Sequence, residues 1–189
     1  MRHLISALAL AGALQVSPAL ATPAMAQSTA VAAPAPTQDD DAGLTTLDGL
    51  LDALYDTVSG DAGPRDWDRF RSLFYPGATL VPSGRRADGT LTARVLTPDG
   101  YITQNGPVFA QNGFFEREIG RSVREYGPTA QISSSYEARR AESDAEPFMR
   151  GVNAIQAFND GKRWWVISIA WAAETPEWPV PADLLKPEG

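Results

Sequence analysis

The stretch of sequence that decides the fold lies near the C-terminus, where residues 146–171 read EPFMRGVNAIQAFNDGKRWWVISIAW. Phe148–Phe158 and Trp164–Trp171 are rich in the aromatic and β-branched residues that are typical of strands. Between them, Asp160-Gly161 favours a tight turn, because both residues tolerate positive φ angles. The stretch therefore predicts a β-hairpin. One face of its second strand should carry four apolar residues: Trp165, Ile167, Ile169 and Trp171.

Two further segments lie upstream, on either side of a turn at Gly127-Pro128. Thr129–Arg139 alternates between apolar and polar residues, which predicts a third strand. Phe114–Tyr126 is ambiguous on its residues alone, since the apolar residues fit both one face of a helix and one face of a strand. These residues are Phe115, Ile119 and Val123.

The first half of the chain carries helical patterns. Apolar residues recur every three or four positions between Leu47 and Val58, which predicts a helix with one buried face. Thr45, followed three residues later by Asp48, resembles a capping box at its start. A second helix should follow Pro64, and one face of it should carry the apolar residues Trp67, Phe70, Leu73 and Phe74.

The next segment begins with a predicted short strand, Ala78–Pro82, followed by a polar loop over Ser83–Gly89. A further strand is predicted near Leu91–Leu96. Thr97-Pro98-Asp99 is typical of a helix start, with Thr as the N-cap and Pro in the first turn. Because proline removes a backbone donor, we expect Gly106-Pro107 to kink or divide this third helix.

Helices followed by long strands predict an α+β fold, in which N-terminal helices pack on a curved antiparallel sheet. Residues 44–181 are enough for one hydrophobic core and should form a single domain, and residues 182–189 should form a C-terminal tail.

Residues 1–26 are interpreted as a signal peptide, with Arg2 before the apolar stretch Leu4–Val16. Ala24-Met25-Ala26 fits the cleavage rule, and cleavage after Ala21 is the alternative. The apolar stretch is shorter than the roughly 20 residues of a membrane-spanning helix. We therefore expect a protein of the periplasm or the extracellular space, not inserted in the membrane after cleavage. Residues 27–43 should form a flexible linker.

Composition excludes several classes of function. The net charge is −7, and removal of Arg2 with the signal peptide makes it −8. Such an acidic surface repels nucleic acid. There is no cysteine, and the single histidine, His3, lies in the signal peptide. The mature chain therefore lacks the groups for thiolate or histidine catalysis and for His- or Cys-ligated metals. We expect no metal site and no cofactor.

Three segments carry a family resemblance: FFEREIGRSVREYG at 114–127, AQISSSYEARR at 130–140, and the hairpin at 146–171. Together they resemble an uncharacterised, secreted bacterial branch of the nuclear transport factor 2-like superfamily, also called SnoaL-like. The resemblance spans residues 44–181. It implies a cone-shaped, cystatin-like α+β roll, and it implies that Phe114–Tyr126 is a strand.

The resemblance also implies an apolar pocket at the open end of the cone, binding a small apolar or amphipathic molecule. Aromatic residues at these spacings are also typical of an ordinary core. The positions implied to line the pocket are Tyr55, Trp67, Phe70, Phe74, Tyr101, Phe109, Tyr136, Asn153, Gln156 and Trp171.

Enzymes of this superfamily that resemble ketosteroid isomerase use a carboxylate base and hydrogen-bond donors. Tyr55 resembles the donor on the first helix, but the position of the base is occupied by Val81 in Ala78–Pro82. Glu116 and Glu118 should share one face of a strand, either as an acid/base pair or, as we prefer, on a solvated or ion-paired face of the sheet. Glu137, Arg139 and Arg150 are the charged residues that could lie across from them on neighbouring strands. The catalytic residues are therefore left open.

Three functions fit the sequence. The first is a binding protein that holds a small molecule without catalysis. The second is an isomerase, dehydratase or cyclase that uses Tyr55 and a carboxylate not yet placed, which requires a buried acid with a raised pKa. The third is a homodimeric interaction module that uses exposed tryptophans among Trp164, Trp165 and Trp178.

Overall fold

The computed structural model describes residues 43–185. The predicted signal peptide, nearly all of the predicted linker and the last four residues of the predicted tail lie outside this range. Three α-helices and six strands follow one another along the chain: α1 Leu47–Val58, α2 Trp67–Ser72, β1 Phe74–Arg85, β2 Leu91–Ala93, α3 Pro98–Gln111, β3 Phe115–Tyr126, β4 Thr129–Arg139, β5 Met149–Asn159 and β6 Trp164–Ala173. Within residues 43–185, no helix is long and apolar enough to cross a membrane.

The strands form one curved, open sheet in the order β2-β1-β6-β5-β4-β3. The α+β class is confirmed, and β3 is a strand, as expected. One pair departs from the expected antiparallel sheet, because β1 and β6 run parallel. Parallel neighbours need a long connection, and the chain between β1 and β6 supplies it with α3 and four further strands.

Helix α1 packs the side chains of Leu50, Leu51 and Leu54 into the core. Its N-cap is Thr46, whose side chain accepts a hydrogen bond from the Gly49 amide at 3.1 Å. The predicted cap at Thr45 was wrong, since a short 3₁₀ helix over Gly43–Thr45 delays the start of α1.

Helix α2 is shorter than predicted. It ends at Ser72, and Phe74 is the first residue of β1, where its backbone pairs with Val166. Strand pairing therefore takes the chain out of the helix before Pro76. Ser83–Arg85, expected in a loop, belong to β1 because they pair with β2.

Helix α3 begins at the predicted cap, where Thr97 accepts from the Gly100 amide. It continues through Pro107 to Gln111, so of the two expected effects, a kink or a division, the division was wrong. A proline inside a helix costs about 3 kcal/mol. Burial of Phe109 against Trp67 and Phe114, on the turn that follows, offsets this cost.

A β-bulge changes the faces of β6. The register with β5 shifts so that Ile167 has no partner. Trp164 and Val166 therefore lie on the core side together with Ile169, whereas Trp165 packs on the outer side against Tyr75. The single apolar face predicted for β6 was wrong, and neither Trp164 nor Trp165 is an exposed tryptophan.

The C-terminal segment follows the sheet closely as far as it is described. A 3₁₀ helix at Ala182–Leu184 buries Leu184. The Leu184 carbonyl accepts a hydrogen bond from the Ser135 hydroxyl at 2.5 Å. A side chain at Gly120 would overlap this carbonyl, so glycine is what permits the close approach. The predicted tail thus begins as a packed segment.

Candidate functional site

A cavity of about 240 Å³ lies between the helices and the inner face of the sheet. Nine of its lining residues are aromatic: Tyr55, Phe70, Phe74, Tyr101, Phe109, Phe114, Tyr136, Phe148 and Trp171. Six are aliphatic or thioether side chains: Leu54, Val58, Leu80, Val108, Met149 and Ile169. Only four lining residues are polar or charged without an aromatic ring: Asn105, Glu116, Arg140 and Asn153. The cavity is therefore apolar, with a few polar groups at defined places, as in small-molecule sites.

Eight of the ten positions expected to line the pocket do so: Tyr55, Phe70, Phe74, Tyr101, Phe109, Tyr136, Asn153 and Trp171. The other two do not. Trp67 lies behind the wall, where its ring packs against Phe70 and Phe109. Gln156 is exposed on the outer face, because side chains alternate along β5 and Asn153 and Ile155 point inward. Whether the eight residues bind a ligand stays a prediction.

Glu116 is the only acidic group among the cavity-lining residues. It lies on the inner face of β3, where its cross-strand partner is Ala138. The small Ala138 side chain leaves room beside the carboxylate, and its one side-chain hydrogen bond comes from Asn153. Burial raises the pKa of Glu116 from 4.5 to about 7, against the opposing effect of this hydrogen bond. Glu116 can therefore accept or give a proton near neutral pH.

Two phenol groups share the cavity with this carboxylate. Within residues 43–185, the hydroxyls of Tyr101 and Tyr136 have no hydrogen-bond partner. Burial, and next the negative charge of Glu116, raise the pKa of both tyrosines above the ordinary range. Both hydroxyls therefore stay protonated and are free to donate to a bound molecule.

Tyr55 lies on the cavity wall, but its proton is committed elsewhere. Ser134 donates its single hydroxyl hydrogen to Glu118 at 2.5 Å, so Tyr55 must be the donor in its own 2.6 Å bond to Ser134. The Tyr55 oxygen accepts a hydrogen bond from Asn153 at 3.1 Å. Tyr55 thus orients Asn153, which in turn donates a hydrogen bond to Glu116. Tyr55 was expected to donate a hydrogen bond into the cavity, but its proton is used in the bond to Ser134.

Glu118 belongs to this structural network. Its carboxylate accepts from Arg121 at 2.8 Å, and Arg121 also pairs with Asp48 of α1. A β-bulge at Ile119 places Arg121 opposite Ser134 and thus on the same face as Glu118. The same bulge separates Phe115 and Val123, which simple alternation would place together. The preferred ion-pair interpretation fits Glu118 and does not fit Glu116.

The remaining charged candidates, Glu137, Arg139 and Arg150, lie beside groups of opposite charge. On the outer face, Glu137 accepts from Arg117 and from Arg139. Arg150 lies 3.6 Å from the Glu174 carboxylate. Within residues 43–185, no group of three or more acidic, cysteine or histidine side chains is arranged to hold a metal ion.

The mouth of the cavity carries a positive charge. The Arg140 guanidinium lies over the ring of Phe148, with its carbon 3.9 Å from the ring centroid. Both residues line the cavity and are exposed to solvent. No sequence pattern marks Arg140, since its position at the mouth depends on how the residues around the cavity pack together.

No family model and no curated protein matches the chain. Solved structures do. A cystatin-like protein of unknown function from Nostoc punctiforme matches with a TM-score of 0.53 at 8% identity, over 69% of this chain and 90% of that one. A protein from Novosphingobium aromaticivorans, proposed to be the beta subunit of an aromatic-ring-hydroxylating dioxygenase, matches with a TM-score of 0.52 at 14% identity, over 73% of this chain and 91% of that one.

The chain has a cystatin-like α+β fold. A protein from Silicibacter pomeroyi described as NTF-2 like is also similar, with a TM-score of 0.47 at 17% identity, over 68% of this chain and 92% of that one. Identities this low show the fold and not the activity.

Proposed function

We propose that the nuclear transport factor 2-like domain binds a small cyclic carbonyl compound and moves a proton beside its carbonyl group, as an isomerase does. One observation carries the proposal. A carboxyl group with a pKa of about 7, Glu116, lies in an apolar cavity together with two tyrosine hydroxyls that have no protein partner. A base and unpaired donors in one low-polarity cavity are what enolate chemistry requires.

The proposed reaction needs no further group. In a β,γ-unsaturated substrate, ionised Glu116 removes a proton from the carbon between the carbonyl and the carbon–carbon double bond, and the electron pair of that C–H bond forms a conjugated dienolate. Tyr101 or Tyr136 donates a hydrogen bond to the developing negative oxygen. Protonated Glu116 then returns the proton to a different carbon, and the enolate electrons form the new C–H bond and restore the carbonyl. The double bond has moved, and Glu116 is again ionised.

The cavity limits the size of the substrate. Its volume, about 240 Å³, lies below the roughly 300–1,000 Å³ of pockets for drug-sized ligands. The nine aromatic rings of its wall favour a flat apolar body. A molecule of one or two rings is therefore the substrate class that fits.

The direct test follows conversion of the β,γ-unsaturated ketone cyclohex-3-enone into its conjugated isomer by absorbance. We expect turnover that rises with pH through about 7, because Glu116 acts as the ionised base. Glu116→Gln should lower kcat by about 10²- to 10⁴-fold. Glu125→Gln, at an exposed position of the same strand, is the matched control and should be fully active. Turnover no faster than buffer, or unchanged in Glu116→Gln, contradicts the proposal.

A binding protein without catalysis is the second candidate. Val81 favours it, because this residue stands where isomerase-like relatives carry their base, and it lies outside the cavity wall. Native mass spectrometry of protein purified from its host should then show a retained small molecule. A retained molecule together with absent turnover supports this candidate over the isomerase.

Export and dimer formation also stay proposals. N-terminal sequencing of the exported protein should begin at Gln27, or at Thr22 if the alternative cleavage applies. One structural neighbour is described as a subunit of a larger enzyme, which supports testing for assembly. Light scattering of the mature protein should give the mass of a homodimer.

A further inference from the structure

Arg140 has a defined place in the fold. It directly follows β4, in phase with Tyr136 and Ala138 on the inner face. The Asp144 carboxylate accepts hydrogen bonds from the backbone amides of Arg140 and Ala141 at 3.1 and 3.0 Å. The Arg140 carbonyl lies where a side chain at position 113 would be, which the chain permits with Gly113. The backbone that carries the guanidinium is therefore held on two sides.

The guanidinium itself lacks an acidic partner. Within residues 43–185, most of the ion pairs that involve arginine place it against a carboxylate less than 3 Å away, as in Arg71 with Asp99 at 2.7 Å. Arg140 has no such pair, and the nearby Asp144 carboxylate bonds backbone amides. Other arginines without an acidic partner do not line the cavity: Arg69, Arg86, Arg94 and Arg124. Arg140 alone among them combines an unpaired charge with a place at the mouth.

The surroundings hold this charge in a position to meet a ligand. Phe148 supports the planar guanidinium from one side by a cation–π contact at 3.9 Å. The backbone of Phe148 is fixed in turn, because its N–H donates a hydrogen bond to the Ala138 carbonyl at 2.9 Å. The donor edges of the guanidinium are left to solvent or to a bound molecule.

The cavity therefore has two different ends. Glu116 lies opposite Ala138, and Arg140 follows two residues later along the same strand direction. At about 3.3 Å per residue, the two positions are separated by roughly 7 Å along the strand direction. The carboxylate at the inner end repels an anion, whereas the guanidinium at the mouth attracts one. A molecule with one anionic group would thus enter with its neutral part first.

We infer that the cavity takes monoanionic amphiphiles, in which an aromatic or cyclic body carries one carboxylate, and that Arg140 holds the carboxylate at the mouth. That the ligand also carries a carbonyl group and directs it toward Glu116 rests on the proposed function, whereas binding of the carboxylate by Arg140 does not. Arg140 is in this sense a specificity-determining residue, because it selects the charged ligand over a neutral one of equal shape.

The experiment compares trans-cinnamate with trans-cinnamamide, which have nearly the same shape and differ in charge. Calorimetric titration of the full mature chain should show cinnamate binding roughly tenfold more tightly, and added salt should reduce this preference. Arg140→Gln should abolish the preference, and Arg140→Lys should retain part of it. Arg124→Gln, which removes an unpaired arginine away from the cavity, should leave it unchanged.

Equal binding of the two compounds, an unchanged preference in Arg140→Gln, or no binding of either compound overturns the inference. Its failure can be separated from that of the proposed function. Isomerase turnover that depends on Glu116, without a charge preference, overturns this inference alone. A charge preference that depends on Arg140, without turnover, overturns the isomerase alone.

Discussion

Glu116 and Glu118 lie two residues apart on the inner face of β3, and their carboxylates have different surroundings. Glu118 receives hydrogen bonds from Ser134 and Arg121, and Arg121 is tied in turn to Asp48 of α1. Glu116 has one side-chain hydrogen bond, from Asn153, and otherwise faces an apolar cavity. The same residue type thus serves stability at one position and is available for chemistry at the other.

The comparison extends to the tyrosines. Tyr55 has its hydroxyl bonded to Ser134 and Asn153, on the side of the satisfied network. Tyr136 and Tyr101 have hydroxyls without partners, on the side of the cavity. Buried polar groups are normally paired, so a cluster that is not paired indicates a place kept for a ligand. Three changes test this division.

The largest effect is expected from Glu118→Ala. It leaves the Ser134 hydroxyl and the partly buried Arg121 without their shared acceptor, and should lower the free energy of unfolding by about 2 to 4 kcal/mol. Urea unfolding near neutral pH measures this. Glu125→Ala, at an exposed position of the same strand, should change stability by less than about 0.5 kcal/mol. Equal losses of stability in Glu118→Ala and Glu125→Ala would contradict a structural role for Glu118.

Glu116→Gln should act in the opposite direction and depend on pH. Because burial raises the pKa of Glu116 from 4.5 to about 7, the folded protein binds more protons than the unfolded chain between these values. The unfolding free energy of the parent protein therefore falls as pH rises through this window. The pKa difference sets an upper limit of about 3 kcal/mol on this fall, and water that enters the cavity makes the fall smaller.

A glutamine side chain stays neutral at every pH, so the variant does not carry the free-energy cost of burying an ionised carboxylate. Glu116→Gln should consequently be more stable than the parent at about pH 8, by up to about 3 kcal/mol, and equally stable at about pH 4. Thermal or urea unfolding at the two pH values checks this, with Glu125→Gln as the control that should show no difference. A variant that is less stable at the higher pH would show that Glu116 is paired, like Glu118.

The smallest effect is expected from Tyr136→Phe. Its hydroxyl has no partner, so its loss should change stability by less than about 0.5 kcal/mol. Tyr55→Phe removes a hydroxyl with two buried partners and should cost about 1 to 2 kcal/mol. Both variants are compared by urea unfolding at one pH. If Tyr136→Phe lowers the free energy of unfolding as much as Tyr55→Phe, the Tyr136 hydroxyl is hydrogen-bonded like that of Tyr55, which contradicts the division.

Much of the fold could be predicted because its signals are local. The range of β4, Thr129–Arg139, was predicted to the residue, since alternation and the flanking turn define both ends. Helix α1 follows from apolar spacing, and the cap of α3 from Thr97 before a proline. The strand assignment of Phe114–Tyr126 came from the family resemblance, because its residues fitted a helix equally well.

The bulges in β3 and β6 could not be predicted. Each inserts one residue, Ile119 in β3 and Ile167 in β6, and reverses the faces of every residue that follows. Alternation counted along a single strand cannot show this, because a bulge is defined by the partner strand. This is why Arg121 reaches Glu118 and why Trp165 lies on the outer side of the sheet.

The sequence by itself determined the α+β class and most of the succession of helices and strands, because apolar periodicity and turn chemistry depend on near neighbours in the chain. The strand β3 and eight of the nineteen residues that line the cavity were implied by the family resemblance. Only the tertiary structure decided which carboxylate is paired and which faces the cavity. The surroundings of Glu116 and Glu118 come from Ala138, Ser134, Arg121 and Asn153 on other strands or beyond a bulge. Burial, hydrogen bonding and nearby charge set the pKa of a carboxyl group, and all three depend on the register between strands.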